Sequence, residues 1–172
     1  MSEDWKSKYD NVDYFSEGLA KVKLNGQYGF VDQQGNVVIP LKYDMAGGFH
    51  GGLARVQLKR KYGFIDQQGN VVVPLKYDYA GNFHEGLASV SGLVSRPWPE
   101  RTEGVTHITY GKSGFIDKEG KQVIPLIYDD AGGFEEGLAK VELDDKVGFI
   151  DKEGNEYWDM TADEARRQMR NR

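Results

Sequence analysis

The chain has 172 residues, a formal net charge of −5, 39% hydrophobic and 28% charged residues, 22 glycines and no cysteine. That balance argues against disorder, the lack of cysteine excludes disulfides and thiolate chemistry, and the mild acidity argues against nucleic acid, whose phosphates call for Lys and Arg. No apolar run approaches the roughly 18 residues of a spanning helix, and Met1-Ser2-Glu3-Asp4-Trp5 lacks the basic-then-apolar pattern of a leader, so a cytoplasmic location without membrane contact is expected.

The segment Phe15-Ser16-Glu17-Gly18-Leu19-Ala20 opens a pattern that returns from Phe49, Phe83 and Phe134, at spacings of 34, 34 and 51 residues. Internal repeats of this length mark tandem arrays. The units run approximately 9–42, 43–76, 77–127 and 128–160, and together they form one array over 1–160. Within the first unit, Ala20, Val22 and Leu24 alternate with Leu19, Lys21 and Lys23, which predicts a strand. Asn25-Gly26 then predicts a tight hairpin. Tyr28 and Phe30 opposing Gly29 and Val31 predict the second strand, and Val37-Val38-Ile39, ended by Pro40, the third. Between those two, Asp32-Gln33-Gln34-Gly35-Asn36 is a turn that Asp opens by accepting backbone amides and Gly closes with a positive φ. Its copies begin at Asp66, Asp117 and Asp151. A Gly-rich crossing loop such as Met45-Ala46-Gly47-Gly48 links one meander to the next.

A three-stranded meander cannot bury its apolar face alone, so stacking of neighbours is required. Tyr43 with Phe49, Tyr77 with Phe83, and Tyr128 with Phe134 are the expected glue between units, because aromatic rings bury the most area. The fold class predicted is all-β: four tandem three-stranded meanders in an open twisted array, with a closed four-bladed propeller-like arrangement as the alternative. Thr161-Ala162-Asp163-Glu164 matches a capping box and predicts a short helix over 161–172. A helix this short must dock, and covering the last strand edge is its expected task.

The recurring order Phe-x-Glu-Gly-Leu-Ala, aromatic-Gly-Phe-Ile-Asp-x-x-Gly and Val-Ile-Pro-x-x-Tyr-Asp resembles the WG-containing repeat family of bacterial proteins, over about residues 9–160. The namesake Trp is replaced by Tyr28, Tyr62, Ser113 and Val147. The resemblance implies an all-β repeat architecture used as a non-catalytic interaction module. It transfers no catalytic residue and names no partner.

The third unit breaks the symmetry with an insertion of 17 residues between about Ser91 and Tyr110, centred on 92–108. Insertions in repeat arrays fall on one face, often the binding face, and Arg and Trp dominate binding hot spots. The expected partner site is therefore Arg96, Trp98, Arg101, His107 and Tyr110, stiffened by Pro97 and Pro99. The competing reading is an extended hairpin whose Trp98 folds back on the array. His50, His84 and Glu135 occupy equivalent repeat positions and would form a His-His-Glu row if the copies align. A metal site needs three or four convergent ligands, and a polar loop position explains these residues, so no metal and no cofactor is expected. The repeated aspartates lack the alternating spacing of a calcium loop. No nucleophile elbow, phosphate loop or dinucleotide fingerprint is present.

These features predict a non-catalytic, intracellular protein-binding scaffold, a monomer or a weak homo-oligomer, whose acidity suits a basic protein partner. The alternatives are a small immunity-type neutraliser of a toxin or effector, a carbohydrate-binding module that stacks sugars on aromatics, and a hydrolase with a groove along the array.

Overall fold

The computed structural model describes residues 3–97 and 107–172. It is almost entirely β, with four antiparallel four-stranded sheets, and among the described residues no sheet closes on itself. By its contacts the chain divides into two compact units, Met1–Tyr77 and Asp78–Arg172.

In the first unit a 3-10 turn, Glu3–Lys8, precedes two sheets. One is built from β1 (Asn11–Ser16), β2 (Leu19–Leu24), β3 (Gln27–Val31) and β4 (Val37–Tyr43). The other consists of β5 (Met45–Ala46), β6 (Leu53–Leu58), β7 (Lys61–Asp66) and β8 (Val71–Tyr77). The second unit has β9 (Tyr79–Ala80), β10 (Ala88–Pro97), β11 (His107–Ile116) and β12 (Gln122–Tyr128) in one sheet. The other holds β13 (Asp130–Glu135), β14 (Leu138–Leu143), β15 (Lys146–Asp151) and β16 (Glu156–Trp158), followed by α1 (Ala162–Arg170). No helix among the described residues is long and apolar enough to cross a membrane.

Each sheet has four strands where the sequence predicted three. The extra strand is the crossing segment itself: Met45 pairs with Gln57 and Ala46 with Val56. The two-residue strands β5 and β9 are too short to show alternation, so no periodicity announces them. The turn that follows is also a tight one in the first and last sheets. Glu17 and Gly18 (φ 52° and 88°), like Glu136 and Gly137 (50° and 84°), sit in the left-handed region that a primed hairpin turn requires.

The period-two pattern gives every sheet two apolar faces. In the first sheet Ala20, Val22 and Val31 point one way and pack with Trp5, Tyr9 and Leu41 from outside the sheet's middle strands. Leu19, Phe30 and Ile39 point the other way, and with Tyr43 and Phe49 they meet Ala54, Val56 and Ile65 of the second sheet. The second unit repeats this: Leu87, Phe115, Ile124, Tyr128 and Phe134 meet Ala139, Val141 and Ile150. The expected glue is thus seen at Tyr43 with Phe49 and at Tyr128 with Phe134. Phe83 is half-buried.

The helix forms as predicted. The Thr161 hydroxyl accepts the Glu164 amide and the Glu164 carboxylate accepts the Thr161 amide. Its docking place differs from the expectation. Ala165 is buried with Leu138 and Tyr157, and Met169 packs beside Phe149. The helix packs on a face of the last sheet. The face is the larger debt: Leu138, Phe149 and Tyr157 have no fifth sheet to bury them, whereas an edge strand can bond to water.

The Asp-opened turns are as read. In each, one carboxylate oxygen accepts two backbone amides, for Asp151 those of Glu153 at 3.1 Å and Asn155 at 2.8 Å. Asp151 differs from its copies in being buried and in also accepting the Tyr157 hydroxyl at 2.8 Å. Burial alone would raise its pKa, but the bonds from Asn155, Tyr157 and Glu153 outweigh it and hold the carboxyl below the usual range. A depressed folded-state value stabilises the fold above the ordinary carboxylate range and ceases to as pH falls through the folded value. Asp151→Ala should therefore cost about 2 kcal/mol at pH 7. In chemical denaturation the gap between variant and parent should narrow below about pH 4. A gap independent of pH would show that the charge is not what holds the turn.

Candidate functional site

The inserted residues extend two existing strands. β10 and β11 pair without a register break from Ala88 opposite Ile116 to Pro97 opposite His107. The rung Gly92–Lys112 stands where Leu58–Lys61 closes the tight hairpin of the second sheet. Residues 93–111 therefore replace a two-residue turn, and the hairpin continues a ladder the repeat already contains.

Its base is pinned by side chains. The hydroxyls of Ser91 and Ser113 lie 2.7 Å apart, with Ser113 buried. The small residue at the namesake position thus serves a polar contact across the hairpin. Lys112 pairs with Asp129, which also accepts the Asp144 amide at 2.9 Å. The Lys112 ammonium, then the Asp144 amide, hold the Asp129 carboxyl below its usual range. Asp10 and Asp44 bond the turn amides of Asn25 and Lys59 in the same manner. Above the base, Leu93 is exposed.

Of the predicted partner residues, Arg96 stands opposite Ile108, Tyr110 opposite Val94 and His107 opposite Pro97. The strands thus carry three of the five within four rungs. The side chains of Arg96, His107 and Tyr110 lie outside the described part, and Trp98 and Arg101 lie outside the described residues altogether.

Sequence reasoning passed over the turn glutamates. The Glu17 carboxylate accepts the amides of Gly51 and Gly52 at 2.6 and 2.9 Å, one repeat further on. Glu85 accepts the Gly137 amide at 3.1 Å and pairs with Lys152 at 2.9 Å. Glu136, at the same repeat position, pairs with Arg166 of the helix at 3.0 Å. The signal was present as the Glu of Phe-x-Glu-Gly. Its partner could not be read, because it lies 30 or more residues away.

The charges at these positions have one tendency. Glu17 is lowered mainly by the Gly52 amide and Glu85 mainly by Lys152. Among the described residues, the other carboxyls with a clear shift are also lowered, Asp32 and Asp66 by the bonds of their turns and Glu164 by its capping bonds to Thr161. Among the described residues only tyrosines move upward: burial, with Glu156 beside it, raises Tyr128, and burial beside Asp151 raises Tyr157. Among the described residues, no group of three or more His, Asp or Glu side chains converges as metal ligands would.

The model of the WG containing repeat matches residues 6–28, 28–62, 62–91 and 114–146. The matched stretches stop at Ser91 and resume at Gly114, so they leave out most of the long hairpin and keep only the ends of β10 and β11 at its base. No curated protein and no solved structure shows significant similarity to the chain. With four matches spread over more than half its length, each beginning or ending at or beside a namesake position, the chain belongs to the WG containing repeat family.

Proposed function

We propose that this protein is a non-catalytic, cytoplasmic protein-binding scaffold that presents the β10–β11 hairpin to a basic protein partner. The observation that carries the reading is the hairpin's departure from the repeat: it adds surface that the other three sheets lack, on a base fixed by Ser91, Ser113, Lys112 and Asp129. A pre-ordered ladder loses less conformational entropy on binding than a free loop. The shifted carboxyls support the same reading. They are stabilised as anions, so none of them is a proton donor held ready at neutral pH. The net charge of −5 favours a basic partner and extends the reading to the neutraliser of a toxin or effector.

The test replaces residues 93–111 by Asn-Gly, which restores the hairpin of the first sheet. The variant should keep the parent's β-type circular dichroism, because the rung Gly92–Lys112 then closes a tight turn. Calorimetry against the partner recovered with the full chain should show a loss of at least about 2 kcal/mol, the hot-spot threshold. Unchanged affinity in a folded variant would move the site to the repeated faces.

A further inference from the structure

The last sheet differs from the others along its final strand. In the first three sheets the fourth strand has seven residues and ends on a tyrosine. Tyr43 stands opposite Tyr28, Tyr77 opposite Tyr62 and Tyr128 opposite Ser113. In the last sheet β16 has three residues and ends at Trp158 opposite Gly148. Asp159, at φ 56°, turns the chain out of the sheet. Among the described residues none of β16 stands opposite Val147, which occupies the namesake position, and its side chain is half exposed.

The backbone at this place faces outward. Leu143 and Lys146 flank the two-residue turn at Asp144 and Asp145 and form the closing, hydrogen-bonded rung. Rungs alternate in an antiparallel pair, so on the next rung, Glu142 with Val147, the backbone groups of Val147 point away from β14. In the first sheet the same direction leads to Tyr43. In the last no β16 residue takes that place, and next to Val147 lies a cleft of about 430 Å³ lined by Leu143, Asp144, Lys146, Trp158 and Asp159. The Trp158 indole is oriented by its N–H, which donates to Glu156 at 2.9 Å.

We propose that this cleft is a strand-addition site for an extended segment of another protein, of the type Leu-Lys-Tyr-Asp, which completes the fourth strand of the last sheet. The chain itself supplies the template. The segments that fill the equivalent place are Leu41-Lys42-Tyr43-Asp44, Leu75-Lys76-Tyr77-Asp78 and Leu126-Ile127-Tyr128-Asp129. Charge agrees with the lysine of the first two: Asp144 and Asp159 on the cleft wall outnumber Lys146. Backbone bonds to an exposed edge supply affinity in such complexes, and side-chain pockets supply the choice of sequence. The site is separate from the hairpin and does not rest on its being a docking element.

The probe is an acetylated, amidated peptide of residues 40–45, Pro-Leu-Lys-Tyr-Asp-Met, titrated into the full ¹⁵N-labelled chain. Amide shifts at Lys146 and Val147 and a shift of the Trp158 indole N–H should saturate with a dissociation constant below about 1 mM. The same peptide with its tyrosine nitrogen methylated loses one ladder donor and should bind at least tenfold more weakly. Val147→Pro removes the outward N–H near the start of β15, where β16 supplies no partner and proline is tolerated, and should weaken the parent peptide equally. The methylated peptide gives the answer on the unaltered protein should that variant not fold. The variant lacking the long hairpin should bind the peptide as the parent does, so this site and the hairpin can fail separately. The absence of saturable shifts at these residues, equal binding of a scrambled or methylated peptide, or a dimer of the chain through this edge would each overturn the proposal.

Discussion

Phe49→Ala is expected to cost about 3–5 kcal/mol in urea denaturation, the usual penalty for emptying a buried phenylalanine site. The ring is 1% exposed and stands edge-to-face on Phe30, with centroids 4.8 Å apart and planes at 61°. It lies in the seam where the first sheet meets the second, so neither sheet can close the cavity without moving the other. Its backbone is held too: the Ser16 hydroxyl donates to the Phe49 carbonyl at 2.6 Å. Phe134 repeats the geometry on Phe115, at 4.9 Å, and should behave alike. Phe15 and Phe83 occupy the same sequence position with different burial. Phe15 is 39% exposed against Trp5, and Phe83 is half-buried. Their alanine variants should lose about half as much or less, in proportion to the apolar area removed from water. Equal losses at all four positions would contradict this packing.

Gly29→Ala is expected to cost about 3 kcal/mol, the upper end of the overpacking range. A Cβ there would lie 2.6 Å from the Ile39 carbonyl oxygen, 2.8 Å from the Leu41 nitrogen and 2.9 Å from the Pro40 carbonyl carbon. All three are backbone atoms, so no rotamer change relieves the contact. The cause is the bulge in β4, which carries Pro40 across β3 between the rungs Tyr28–Tyr43 and Phe30–Ile39. Gly26→Ala is the control. Gly26 has φ 81° but nothing within 4 Å of the added carbon. It should lose about 1–2 kcal/mol, the cost of a left-handed backbone alone. Thermal and urea unfolding of the pair separate crowding from backbone strain. A smaller loss at Gly29 than at Gly26 would show that the bulge is not closely packed. The aromatic-Gly step that recurs in the sequence thus owes its Gly to the strand that crosses it. In the last sheet the Trp158 ring takes the place of that strand over Gly148.

The sequence by itself determined everything whose cause lies within a few residues. Alternation at Leu19–Leu24 made the strand, and Asn25-Gly26 made the turn, because both depend on side-chain direction and on φ at single residues. Asp32 and its copies were legible as turn openers, because their acceptor amides are two and four residues away. The capping box at Thr161 was legible for the same reason. The repeat itself, and the one place where it breaks, could be read by comparing the chain with itself. Tertiary structure decided the rest. Met45 and Ala46 become a strand only because β6 lies beside them. The helix takes the sheet's face over its edge because Leu138, Phe149 and Tyr157 lack another sheet. Glu17 reaches amides a full repeat away, and Phe49 is buried where Phe15 is not, because burial depends on what the neighbouring copy brings to the position. A repeated sequence specifies each unit alike, and only its place among its neighbours makes one copy a core, another a surface and a third an open edge.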